Sequence, residues 1–300
     1  MFKHLLVPLD GSQLAERALT AAGHLSKAMG SRVTLLHIVE RDAPREIHGE
    51  KHLTAADDAR KYLQAAAERF FPDPARIERV VELEESSGVA RRIQEHALVS
   101  GADLIVMCTH GRSGLRHLLA GSNAQQVIAS GNTPVLQVRP QKEGEQVFSL
   151  RRVLVPLDGK AEHEPAPDTL VLLARTFDSE LHILRVVPTR QTLRGDSAVA
   201  ARIAPGAAAA LLDLSLEEAE EYLRRYIDAL RKQGVAATGS IERGDAANAI
   251  LAMARRGGID IIVVATHRKV GADAFWSGSV AARITTRSPV PVLLIPVGEG

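Results

Sequence analysis

The sequence predicts an α/β fold stated twice, each copy an open parallel sheet with helices on both faces. Three observations carry this. The opening Lys3-His4-Leu5-Leu6-Val7-Pro8-Leu9-Asp10-Gly11-Ser12 restarts as Arg151-Arg152-Val153-Leu154-Val155-Pro156-Leu157-Asp158-Gly159-Lys160. Asp103-Leu104-Ile105-Val106-Met107-Cys108-Thr109-His110-Gly111 is matched by Asp260-Ile261-Ile262-Val263-Val264-Ala265-Thr266-His267-Arg268. Short apolar runs alternate with helical periodicities in the same order in both copies, the pattern of a doubly wound sheet. Two copies of such length are too few for a solenoid and long enough for each to bury a core.

The elements follow in order. Leu5–Leu9 is an apolar run stopped by Asp10-Gly11 and reads as a buried parallel strand. Gln13–Met29 spaces Ala15, Ala18, Leu19, Ala22, Leu25 and Ala28 as a helix. Val33–Val39 is a strand, Ala56–Phe70 a helix, Ile77–Leu83 an edge-like strand and Val89–Val99 a helix. Leu104–Cys108 is a strand, Ser122–Ala129 a helix and Val135–Val138 the last strand. The second copy repeats the order with Leu154–Leu157, Thr169–Thr176, Leu181–Val187, Leu216–Lys232, Ala236–Glu242, Ala246–Arg255, Ile261–Ala265, Ser279–Thr286 and Val292–Ile295. Domains are expected at 1–140 and 151–298, joined by a polar linker at 141–150. The stretch 188–210, rich in Gly, Pro and Ala, is expected to be a mobile loop or lid.

Composition excludes several function classes. A formal net charge of +1 gives no field toward nucleic acid or an anionic membrane. Aromatics at 3% leave little for base stacking. One cysteine, Cys108, cannot form an intrachain disulfide and fits a reducing compartment. Asp10 interrupts the first apolar stretch, no apolar run approaches membrane-spanning length, and a cytoplasmic location is expected. The histidines show no zinc-type pairing.

The chemistry is expected at the carboxyl ends of the strands, where open α/β sheets take ligands. Both Asp-Gly turns and both Thr-His segments lie there. After Cys108, Gly111 allows close backbone approach or positive φ. Gly121-Ser122 opens a helix, with Ser122 as its N-cap. Free N–H groups at such a helix start suit a phosphate, with the Ser122 hydroxyl and Arg112 adding a hydrogen bond and a charge. Taken alone, Gly121-Ser122 reads equally as a loop-to-helix junction, and Asp10 and Asp158 as turn formers.

These residues together resemble the universal stress protein family in its tandem form. The resemblance rests on Val7-Pro8-Leu9-Asp10-Gly11-Ser12, Leu35-Leu36-His37-Ile38-Val39, Ala102–Met107, Thr109-His110-Gly111-Arg112-Ser113-Gly114 and Gly121-Ser122. It implies two tandem five-stranded domains of the adenine nucleotide alpha hydrolase-like type, related by pseudo-twofold symmetry. It also implies ATP as ligand, with Mg²⁺ only as its companion. The family's Gly-x2-Gly-x9-Gly-(Ser/Thr) frame falls on Cys108, Gly111, Gly121 and Ser122, with cysteine in place of the first glycine. By resemblance, Pro8, Leu9 and Asp10 would contact the adenosine part and Ile38 the adenine edge. Met107 and Cys108 would lie along the ribose, and His110, Gly111, Arg112, Gly121, Ser122 and Asn123 would border the phosphates.

The second copy departs from the frame. Its equivalents are Pro156, Leu157, Asp158, Val186, Val264, Ala265, His267, Arg268, Gly278, Ser279 and Val280. Arg268 stands where the frame has glycine. Either a positive φ strains it, or its guanidinium reaches a phosphate. The following loop carries Asp273 where the first copy has the more basic Arg116-His117, which points to weak or absent nucleotide binding there.

Other residues have quieter readings. His110 and His267 have no evident carboxylate partner and read as loop stabilisers. His37 reads as a satisfied core or edge histidine, and Cys108 as an inert strand-end thiol. Leu216–Lys232 reads as a solvated helix with i,i+4 ion pairs.

The expected function is an ATP-binding stress-response regulator or scaffold. The alternatives are a nucleotide-free interaction module and a slow ATPase. No catalytic base and nucleophile stand together, and neither the dinucleotide fingerprint nor the P-loop occurs. The resemblance implies pairing of the two last strands within the chain, and by analogy a further homodimer. The expected partners are an adenine nucleotide and a protein, with no nucleic acid and no membrane.

Overall fold

The computed structural model describes residues 1–41, 46–47, 50–51, 53–84, 88–108, 123–139, 148–160, 163–193, 195–267 and 279–297. The chain divides into two compact units, one built on residues 1–148 and the other on 149–292.

The first unit runs β1 (His4–Pro8), α1 (Gln13–Met29), β2 (Arg32–Val39), a short antiparallel pair β3 (Glu46–Ile47) and β4 (Glu50–Lys51), then α2 (Ala56–Phe70) and β5 (Ile77–Leu83). It continues with α3 (Val89–Ser100), β6 (Leu104–Cys108), α4 (Asn123–Ser130) and β7 (Val135–Val138). Its strands lie in the order β5-β2-β1-β6-β7. The pairs β2–β5, β1–β2, β1–β6 and β6–β7 are all parallel. The order reverses between β1 and β6, so the switch point falls beside Asp10. Leu5, Leu6 and Val7 are fully buried, as expected for a central strand covered on both faces. Helix α1 packs Ala18, Leu19, Ala22 and Leu25 inward, is capped by Ser12 and ends at Gly30 in the left-handed region (φ 68°).

The second unit runs β8 (Arg152–Leu157), α5 (Pro167–Phe177), β9 (Glu180–Val187), α6 (Gly195–Ile203), α7 (Pro205–Lys232) and β10 (Ala237–Arg243). It continues with α8 (Ala246–Arg256), β11 (Ile261–His267), α9 (Val280–Arg287) and β12 (Val292–Val297). The order is β10-β9-β8-β11-β12, the same winding as the first unit. Pairs β8–β9, β9–β10 and β8–β11 are parallel. Helix α5 starts later than α1, with Pro167 at its first position, and it ends on Asp178 (φ 51°), the position of Gly30.

The two units also begin alike. Asp103 accepts from the Lys3 and His4 N–H groups at 2.8 and 2.9 Å. Asp260 accepts from Arg151 and Arg152 at 2.9 and 3.0 Å, and from the Ser149 hydroxyl at 2.9 Å. Each carboxylate thus satisfies the amides at the entry of the first strand.

The stretch 188–210 corrects the expected loop. Beyond residues 188–193, residues 195–203 and 205–210 are helical, forming α6 and the start of α7. Pro205 is the reason: at the first position of a helix its missing N–H costs nothing, so it starts α7. Ala207–Ala210 are strong helix formers, and Ala208, Leu212, Ala219, Leu223, Ile227 and Leu230 form one buried stripe. Residues 141–147 of the expected linker 141–150, and residues 109–122, lie outside the described residues.

Candidate functional site

In the first unit the ends of β1, β2 and β6 converge. The Leu9 N–H donates to the Leu36 carbonyl at 2.8 Å, and the buried His37 ring donates Nδ1–H to the Leu9 carbonyl at 2.7 Å. The peptide before Asp10 is therefore held on both sides. Asp10 Oδ1 accepts from the Ser12 N–H at 3.0 Å and the Ser12 hydroxyl at 2.6 Å. The same hydroxyl oxygen accepts from Ala15 N–H at 3.2 Å, so one chain of bonds links the Asp turn to the start of α1. Gly11 has φ 91°, and a Cβ there would sit 2.9 Å from the Leu53 side chain, so only glycine fits without strain.

The strand register gathers the other expected residues. Pro8 pairs with Leu36, which sets Ile38 level with Asp10, and Leu6 pairs with Ile105, which sets Pro8 level with Met107. Ile38 and Met107 are buried, Cys108 is half-exposed at the end of β6, and Asn123 is exposed as the first residue of α4. His110, Gly111, Arg112, Gly121 and Ser122 lie outside the described residues. Behind the turn, Tyr62 of α2 lies beside Glu16 and Asp10. Burial first, then these two negative charges, drive its phenol pKa far up, so it stays protonated. Arg69 pairs with Glu16.

The second unit builds the same place differently. Pro156 and Leu157 end β8. The Asp158 Oδ1 accepts from the Lys160 N–H at 2.9 Å, and Oδ2 faces His163 Nδ1 at 2.7 Å. Arg185 occupies the position of His37 and does the same job, donating from Nη1 to the Leu157 carbonyl at 3.3 Å. Gly159 has φ 80°, and a Cβ there would meet Arg185 Nη2 at 2.9 Å. Glu164, at the position of Glu16, is only 7% exposed. Its Oε1 accepts from the Gly159 N–H at 3.0 Å, and its Oε2 accepts from the hydroxyl of Tyr222, at the position of Tyr62. Burial raises the Glu164 pKa, the two hydrogen bonds oppose that, Asp158 adds to it and Arg185 opposes it.

Of the other expected residues, Val264 is buried, and Val186 and Ala265 are half-exposed at their strand ends. His267 is the last residue of β11. Ser279 caps α9, its hydroxyl accepting from Ala282 N–H at 3.0 Å, and Val280 is exposed as the first helical residue. Arg268 and Gly278 lie outside the described residues. Among the described residues no group of three His, Cys, Asp or Glu is placed to hold a metal ion, and no helix is long and apolar enough to cross a membrane.

Sequence reasoning missed His37 and Arg185 as mouth residues, and missed the Glu164–Tyr222 bond and the recurrence of Glu16 and Tyr62 at the equivalent positions. The signal was present. Glutamate and tyrosine recur at equivalent positions of the two copies, which chance composition does not require.

Comparisons with known proteins agree with this architecture. Universal stress protein YxiE of Bacillus subtilis is 31% identical over 152 residues, covering 46% of this chain and all of that protein. Universal stress protein G of Shigella flexneri is 33% identical over 149 residues, again 46% of this chain and all of the relative. The crystal structure of a universal stress protein from Archaeoglobus fulgidus has the same fold over 99% of this chain and 97% of its own, with a TM-score of 0.69 at 20% identity. The sequence model of the Universal stress protein family matches residues 1–139 and again 149–296, and the chain belongs to that family.

Proposed function

We propose that the first unit binds an adenine nucleotide, with ATP as its ligand, and that the chain acts as a nucleotide-dependent stress-response regulator or scaffold. One observation carries this reading: the Asp10 turn stands at the switch point of the sheet, with its preceding peptide pinned by His37 and its glycine in positive φ. Asp10 would meet the adenosine hydroxyls, and Ile38 would border the base. The ribose would run past Met107 and Cys108. The frame of Gly111, Gly121 and Ser122, with Asn123 beyond it, would take the phosphates. Mg²⁺ would come with ATP. The second unit would bind nucleotide weakly or not at all, since Arg268 breaks the frame and the Asp158 turn is filled by its own side chains.

Calorimetry of the intact chain with ATP tests this. About one equivalent should bind, and Asp10→Ala should weaken binding at least about tenfold, as expected for losing a buried hydrogen bond to a charged group. Absence of binding at millimolar ATP, together with no adenine compound in the mass spectrum of denatured protein, would overturn the reading. Steady ATP turnover lost with Asp10→Ala would turn it into the slow-ATPase alternative.

A further inference from the structure

The second unit contains a polar cluster that the nucleotide reading does not use. Glu164 is buried beside the Asp158-Gly159 turn, one oxygen on the Gly159 N–H and the other on the Tyr222 hydroxyl. Arg185 closes the cluster, its guanidinium against Gly159 and its Nε buried without a partner. Tyr226, one turn beyond Tyr222, stacks at 5.9 Å between ring centroids and also buries its hydroxyl. His163 occupies Asp158 from the outside. The first unit has the glutamate and the tyrosine, but there Arg69 takes Glu16, and Leu53 rather than a guanidinium covers the glycine.

Tyr222 is carried by α7, which is 28 residues long where its counterpart α2 is 15. The bond to Glu164 fastens α7, the helix that continues into the α6–α7 extension, to the very turn whose first-unit equivalent is assigned to adenosine. A ligand entering the second unit must compete with a carboxylate already seated on the Gly159 amide, and with a helix fastened to it.

We propose that Glu164 and Tyr222 determine which copy accepts ligand: they hold the second unit as a closed version of the adenine-nucleotide site, which opens only when this contact breaks. The proposal rests on the nucleotide reading of the first unit. Photolabelling of the full chain with 8-azido-ATP, mapped by peptide, would be read alongside hydrogen exchange of the peptide containing Gly159. Tyr222→Phe and Glu164→Ala are the variants.

In the unaltered chain the label should fall on the first unit. Both variants should speed exchange at Gly159 and add label to the second unit, each on the order of tenfold, with labelling of the first unit unchanged. Equal labelling of the two units in the unaltered chain would overturn the proposal. So would faster Gly159 exchange in both variants with no gain of label in the second unit while the first unit labels normally. If neither unit takes label, the nucleotide reading fails. Exchange at Gly159 then decides whether the closed contact exists, and unchanged exchange in both variants refutes it.

Discussion

At the entry of the first strand the two units use one device, and at its exit they use two. Asp103 and Asp260 each collect the amides where the strand begins. At the exit, the first unit pins its turn with an imidazole and covers its glycine with Leu53. The second replaces these with a guanidinium, a buried carboxylate and a tyrosine from an enlarged helix. The difference teaches where the repeat is under a shared constraint. Strand entry must satisfy backbone amides in either copy, because unpaired amides are costly. Strand exit faces a ligand or nothing, so its side chains are free to diverge.

The largest effect tests the shared part. Asp103→Ala and Asp260→Ala should each lower the stability of their own unit by about 2 kcal/mol, the scale of amide bonds to a charged group. The two losses, measured by peptide-resolved hydrogen exchange, should agree within about 1 kcal/mol. A clear inequality would break the claim of a common base.

A smaller effect, the difference between two glycine substitutions, sharpens the contrast at the exit. Gly11→Ala should cost about 2 kcal/mol, since it combines positive φ with a clash at the branch of Leu53. Gly159→Ala shares the φ cost but meets only the tip of Arg185, so a loss of about 1 kcal/mol is expected from denaturant unfolding. Equal or reversed losses would mean that the two turns are covered alike.

The smallest effect is a pair of opposite pH slopes, each at most about 1.4 kcal/mol per pH unit. Glu164 titrates above its ordinary 4.5, because burial disfavours its charge. Between those two values the folded second unit holds the extra proton, so its stability falls as pH rises through that window and levels off above it. His4 titrates below 6.5, through burial first and then the charge of Arg32. There the unfolded chain holds the extra proton, so the first unit gains stability as pH rises toward 6.5 and loses it on acidification. Hydrogen exchange across pH 4–8 (roughly the span of the two ordinary values) should show these slopes. Glu164→Gln should flatten the first and His4→Gln the second, while buried His182 adds a slope of the His4 kind to the second unit; unchanged slopes in both variants would contradict the assignment.

Much of this was legible in residue order. Ala56–Phe70, Ile77–Leu83 and Val135–Val138 form at the bounds that period and propensity predict, because their apolar spacing leaves one way to bury each. The α6–α7 segment was misread because Pro and Gly signal both loops and helix starts, and only the buried stripe on α7 shows which applies. Asp10 and Asp158 were visible as strand-end turns, since Asp-Gly after an apolar run is a local signal. Their partners were not, because His37, Arg185 and Tyr222 lie far along the chain and meet the turns only through strand register and helix packing.

By itself, then, the sequence determined the repeat, the winding order and the strand-end turns, all of which follow from short-range patterns written twice. Only the tertiary structure decided that Glu164 sits on the Gly159 amide under Tyr222 while Glu16 turns to Arg69. The same glutamate stands at both positions. Its partner is chosen by which distant side chains the fold brings into reach, and a buried carboxylate must bond to whatever donor is there.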